Sequence, residues 1–222
     1  MKKRHLILSL SLAVAAIASG QSAQFSLATD ANVLRSFKKD QRYWAIGQTV
    51  HGHFHFTPRD GFYAWLSYYS DGRFGNTVTA TAKSTTTTPQ QISYRNDALL
   101  RFKHISLGWK RYLKGTCESE KQWSLYGFAG FGLMLGVVTN THSVNIDLNA
   151  YDAPVLVGKA NFKRLTLDLG LGAEQPVGGD VFLYAEARAL APTTDYPSKY
   201  LFVNDNAPFT ATANLGIRIL FH

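Results

Sequence analysis

One segment near the end of the chain limits what the whole can become. Phe209, Ala211, Ala213, Leu215, Ile217, Ile219 and Phe221 are apolar. Thr210, Thr212, Asn214, Gly216 and Arg218 lie between them, with Leu220 the one large apolar residue out of phase. Alternation sustained over this length is the mark of a β-strand with two unlike faces, and helical spacing does not produce it.

The period recurs upstream. Leu165, Leu167, Leu169, Leu171 and Ala173 alternate with Thr166, Asp168, Gly170, Gly172 and Glu174, and a tight turn is expected at Pro176-Val177-Gly178-Gly179. Val181, Leu183, Ala185, Ala187 and Ala189 follow, interleaved with Phe182, Tyr184, Glu186, Arg188 and Leu190. Five more strands are predicted over 25–37, 43–57, 62–73, 98–113 and 123–138, the first being the least regular because Asp30 and Asn32 interrupt it. The most apolar of them, WSLYGFAGFGLMLGVV, is short for a spanning helix, and Gly127, Gly130, Gly132 and Gly136 would each weaken one.

Eight strands are therefore expected. Twelve steps of roughly 3.3 Å, tilted by about 45°, climb on the order of 28 Å, close to the apolar band of a transmembrane barrel. Short connections at 58–61, 114–122 and 176–179 alternate with long polar segments at 74–97, 139–162 and 192–208, although 38–42 is short as well. The fold class predicted is all-β: an eight-stranded antiparallel up-and-down transmembrane β-barrel with both termini on the periplasmic side.

The two faces divide the residues. Trp44, Phe54, Phe56, Phe62, Tyr68, Trp109, Trp123, Phe209 and Phe221 lie near strand ends, where two aromatic belts would meet the membrane interfaces. Lys110, Asp168, Glu174, Glu186, Arg188 and Arg218 fall on the other face, as a structural polar network filling the lumen. Eight strands enclose only enough room for side chains, so no open porin is expected. A soluble lipocalin-like barrel holding a small apolar ligand would require the opposite arrangement, with the apolar face inward.

Residues 1–20 read as a cleaved signal peptide: Lys2, Lys3 and Arg4, an apolar run, then Ala18-Ser19-Gly20. Residues 21–222 are left as one barrel domain. Loss of the signal lowers Lys+Arg from 23 to 20 against 15 Asp+Glu, a net charge of about +5. The cations are scattered, which argues against nucleic acid and suits contact with anionic lipid headgroups. Cys117 is the single cysteine, so no disulfide can form within the chain; in a predicted turn it reads as an incidental thiol.

The chain resembles the small outer-membrane barrels, the OmpA-transmembrane, OmpX and OmpW-like group. Its sharpest motif is the terminal strand, where Leu215, Ile217, Ile219 and Phe221 resemble the signal read by the barrel-assembly machinery; His222 trails the aromatic residue that ends such chains. The resemblance implies a bacterial outer-membrane location, with outer-membrane lipids and that machinery as partners and no cofactor; the role expected is non-enzymatic, structural or binding through the outer loops. Thr85 to Thr88 would sit in one of these as a solvated stretch.

Two constellations carry candidate chemistry. His51, His53 and His55 share a strand face, and His-x-His on a strand is a metal-ligand spacing. His104, Ser106 and Glu118 resemble the His-x-Ser…Glu spacing of lipid A deacylase barrels, so a lipid-modifying enzyme is the alternative. The predicted layout places Glu118 in a periplasmic turn, away from His104 and Ser106 inside the wall.

Overall fold

The computed structural model describes residues 23–39, 41–194 and 208–221. The expected signal peptide, His222 and most of the expected 192–208 loop fall outside them. Among the described residues there are nine strands: β1 (Gln24–Ser36), β2 (Trp44–His55), β3 (Asp60–Ala82), β4 (Gln91–Lys114), β5 (Ser124–His142), β6 (Tyr151–Asp152), β7 (Gly158–Gly178), β8 (Val181–Pro192) and β9 (Thr210–Phe221). All pairings are antiparallel, and the eight long strands form a ring in chain order. β9 closes it on β1, from Phe25 opposite Phe221 to Ser36 opposite Thr210. Closure leaves no open sheet edge within the ring itself, which a transmembrane sheet could not tolerate.

Two expected loops are strand over part of their length. The 74–97 segment was expected to be a polar connection, but β3 continues to Ala82 and β4 begins at Gln91. The Thr-rich stretch keeps the two-residue period: Val78 and Ala80 point inward between Thr77, Thr79 and Thr81. Threonine is β-branched and suits a strand, so its polarity was a misleading cue. The long hairpin is broken only by a register shift between Tyr69 and Gly72, where Asp71 takes a positive φ of 59°. Likewise β5 runs on to His142 and β7 starts at Gly158. The connection between them folds back, and β6 pairs with the tip of β3.

At the other end the turns are short. The turn expected at 176–179 is displaced by a bulge between Pro176 and Gly178: Gly178 still pairs with Val181, and Gly179 and Asp180 make the reversal. Gly178 and Gly179 have φ of 147° and 56°, values that a side chain would make costly. We call the two ends of the barrel the turn end and the loop end.

Burial alternates along every long strand. Large apolar side chains such as Leu27, Val50, Leu107, Phe131, Leu169 and Leu215 face outward. Inside, one cluster around Leu34, Tyr69, Leu100, Phe102 and Phe162 fills the half toward the loops, and Tyr63, Trp65, Tyr112, Tyr126 and Phe128 fill the half toward the turns.

Candidate functional site

The polar groups of the lumen collect around two carboxylates. Asp30, the residue that weakened the pattern of β1, is fully buried, with its Oδ2 2.9 Å from Arg188 Nη2 on β8 and 2.8 Å from His51 Nε2 on β2. It also accepts hydrogen bonds from the Tyr184 hydroxyl (3.0 Å) and the amides of Asn32 (2.8 Å) and Asn214 (3.1 Å). Arg188 spans onward to Glu186 Oε2 at 2.6 Å and lies over the Trp65 ring, while the Tyr126 hydroxyl donates to Glu186 at 2.8 Å. Three donors, the His51 ring and a guanidinium give a carboxylate in the wall's interior the compensation that burial demands.

Glu174 is the second centre, nearer the turns. Arg218 grips it with two N–H groups, at 3.1 and 2.8 Å, while Tyr112 donates at 2.9 Å and Lys110 Nζ stands 3.7 Å away. Lys110 also sits 3.5 Å above the Tyr126 ring. The remaining charge named from sequence, Asp168, lies 3.2 Å from His104 Nε2. Trp65 Nε1 can only donate, so its 3.4 Å contact makes His104 Nδ1 the acceptor and leaves Nε2–H to face Asp168 and Thr166.

That arrangement works against a hydrolase. Both nitrogens of His104 are engaged by Trp65, Thr166 and Asp168, and Ser106 Oγ donates to the carbonyl of Phe131 at 3.3 Å. Glu118 is exposed in the 115–123 turn, outside the wall that holds the other two. A nucleophile, its base and an orienting acid must lie within hydrogen-bond reach of one another, and these three do not converge.

The three histidines of β2 are buried in a stack. Ring centroids are 5.5 Å apart for His51 and His53 and 6.0 Å for His53 and His55, with planes within 16° and 15° of parallel. Among the described residues the three rings do not come together as one set of metal-ligand atoms. His55 Nε2 instead contacts Ser26 Oγ at 2.9 Å. A different trio does converge: ligand atoms of Asp30, His51 and Glu186 lie within 4.8 Å of one another. Arg188 Nη2 stands at their centre, 2.9, 2.9 and 2.6 Å from them. The guanidinium already supplies the cation such a trio would hold.

On the outer face, Trp44, Phe54, Phe62, Tyr68, Trp109, Trp123, Phe209 and Phe221 are exposed. Phe56 is half-buried and packs on Phe62 and Trp109, while Phe221 pairs with Phe25 and Phe209 with Phe37. Trp109 Nε1 donates to Asp60 at 3.1 Å, and Lys114 covers Trp123, so rings at the turn end have polar partners beside them. An apolar exterior around a charged interior is the inverse of a soluble ligand-binding barrel, and the lipocalin-like alternative is overturned on that ground.

Sequence reasoning missed Asp30 as a hub, and it missed the role of the 115–123 turn. Cys117, expected to be incidental, is completely buried: its amide donates to Pro58 O at 2.9 Å, its carbonyl accepts from Arg218, and its thiol meets Gln24. Burial pushes the thiol up to about 11. A lone polar-looking turn gives no sequence cue that it will tuck under a barrel mouth.

No protein-family model matches the chain, and no curated protein matches it. Solved structures do. Neisserial surface protein A superposes with a TM-score of 0.58 at 11% identity, over 90% of this chain and 100% of that one. The fold is that of the small outer-membrane barrels. A major outer membrane protein from Thermus thermophilus follows at 0.54 and 12% identity, with 90% and 100% of the two chains covered. Ail, the attachment invasion locus protein of Yersinia pestis, solved with the heparin analogue sucrose octasulfate, gives 0.50 at 12% identity over the same shares. The fold and the apolar exterior together place this chain in the bacterial outer membrane.

Proposed function

We propose that the protein is a non-enzymatic outer-membrane barrel that carries a rigid binding platform on its loop side and conducts no ions. The observation behind this reading is a second, separate core beyond the barrel. Val78, Ala80, Tyr94, Ile146, Tyr151 and Ala153 pack together where the extended β3–β4 hairpin meets the folded-back 143–157 connection. Tyr151 hydroxyl donates to Pro89 O at 2.9 Å, and Lys83 N to Ala150 O at 2.9 Å, tying connection to hairpin. A loop with its own core costs binding partners less ordering entropy than a free one. Val144, Leu148 and Val157 stay exposed on it, ready for apolar contact. The side chains filling both halves of the lumen support the closed state.

Two measurements test this. Purified barrel in planar bilayers should give no channel conductance. A panel of immobilised glycans and extracellular-matrix proteins, probed with the wild type and with Val144→Ser/Leu148→Ser/Val157→Ser, should show a partner that only the wild type retains. Conductance steps, or indistinguishable panel profiles, would defeat the reading.

A further inference from the structure

The outer wall carries a charged hollow that neither the lumen nor the platform explains. β4, β5 and β7 run abreast there, and their pairing aligns Lys103, Leu135 and Lys163 in one row. The next rows toward the loops are Arg101, Val137 and Asn161, then Leu99, Thr139 and Lys159. Neighbouring strands are about 4.8 Å apart, so the side chains of β4 and β7 form two cationic rails about 10 Å apart, with β5 as the floor. With Tyr68 of β3 they line an open hollow of about 880 Å³.

Its charge is uncompensated. Arg101, Lys103, Lys159 and Lys163 are all exposed, no carboxylate lines the hollow, and among the described residues none of the four forms an ion pair. Three other outward arginines do have an aspartate: Arg73, Arg95 and Arg111 stand beside Asp71, Asp97 and Asp60. Clustered like charges repel, and such a cluster is relieved by an anion from outside the chain.

The level of the hollow says what kind of anion. Tyr68, one of the belt aromatics, pairs directly with Lys103. The row immediately toward the turns is wholly apolar, Leu66, Ile105, Leu133 and Leu165, and the next is Ala64, Leu107, Phe131 and Leu167. Cations at the interface above a continuous apolar wall match a molecule with phosphates at one end and acyl chains at the other. Two separated rails favour a head group bearing two phosphates over one bearing a single phosphate.

We infer that this hollow binds a bisphosphorylated, multiply acylated glycolipid of the outer leaflet, of the lipid A type. Its phosphates lie between Arg101 and Lys103 on one side and Lys159 and Lys163 on the other. Its acyl chains run down over Leu133 and Phe131. The inference rests on the outer-membrane placement and is independent of the loop platform.

The test uses the full barrel in detergent, titrated with bisphosphorylated lipid A and read by native mass spectrometry. The variant Arg101→Gln/Lys103→Gln/Lys159→Gln/Lys163→Gln should bind at least about 10-fold more weakly, because it removes all four cations that face the phosphates. A control, Lys39→Gln/Arg42→Gln/Lys83→Gln/Lys121→Gln, removes the same charge elsewhere and should stay within about 2-fold. Heat-modifiable gel mobility reports folding. If the fourfold variant does not fold, Lys103→Gln and Lys163→Gln singly must each weaken binding more than Lys121→Gln does. Equal loss in the control means charge alone; equal affinity for phosphatidylglycerol means any anionic lipid; full competition by inorganic phosphate means a free-anion site. Each of these outcomes overturns the assignment.

Discussion

Arg188 Nη2 lies 2.9 Å from Asp30 Oδ2, yet the strands that carry them, β8 and β1, never hydrogen-bond to each other because β9 runs between them. The pair therefore staples the closing strand from inside. Arg188→Met leaves Asp30 and Glu186 buried without their cation, and stability should fall by about 3–5 kcal/mol. Urea unfolding in lipid vesicles measures it. The double variant with Asp30→Asn should lose less than the two single losses added; strict additivity would show that the contact couples nothing.

Occupation of the Asp30, His51 and Glu186 trio by the guanidinium has a consequence for metals. Zinc added to the folded wild type should produce no saturable heat in titration calorimetry, and a chelator should leave the unfolding midpoint unchanged. A one-to-one zinc isotherm would return the β2 histidines to consideration.

The glycines of β5 make room rather than turns. A Cβ on Gly136 would collide with the Phe162 ring, and one on Gly132 would collide with His104 and Asp168. Gly136→Ala should cost about 1–3 kcal/mol through overpacking, and Phe162→Leu in the same chain should restore part of it. Gly127→Ala is the contrast, since its Cβ meets nothing closer than Leu171 Cδ2 at 3.4 Å. Its unfolding midpoint should match the wild type.

Cys117 holds its proton in the fold, with the thiol at about 11 against an ordinary 9.0. Maleimide should label the unfolded chain quickly and the folded barrel barely at all near neutral pH. The sign of the stability effect follows: between 9.0 and about 11 the unfolded thiol releases a proton that the folded one keeps. Stability is then fully present below 9.0 and declines as pH rises through that window. Cys117→Ser should flatten the decline, and an unchanged slope would remove the thiol as its source.

Expression of the protein should leave the acyl-chain count of lipid A unchanged, because His104, Ser106 and Glu118 do not meet. Mass spectrometry of extracted lipid A from expressing and non-expressing cells checks this. A shortened species that disappears with Ser106→Ala would restore the deacylase reading.

Much of the architecture could be read from residues 165–190 and 209–221, because a strand's two-residue period is a local property. Parity alone separated Leu215 and Ile217 from Arg218, and with them an apolar outer wall from a lumen. The lengths of β3 and β4 escaped, since Thr77, Thr79 and Thr81 look like loop by polarity and act as strand by shape. Parity also says which face a charge occupies but not whom it meets.

Partners were decided by register and closure. Asp30 and Arg188 are 158 positions apart, and only the ring brings them together. The same holds for Lys103 and Lys163, which become facing rails because β5 pairs with both their strands. Cys117 is buried because its turn packs beneath the barrel mouth against Gln24 and Arg218. Backbone geometry repeated every two residues made the presence of the eight long strands and their two faces legible without the fold. The tertiary structure decided the contacts across the ring, because hydrogen-bond register, and not sequence distance, sets which side chains share a height on the wall.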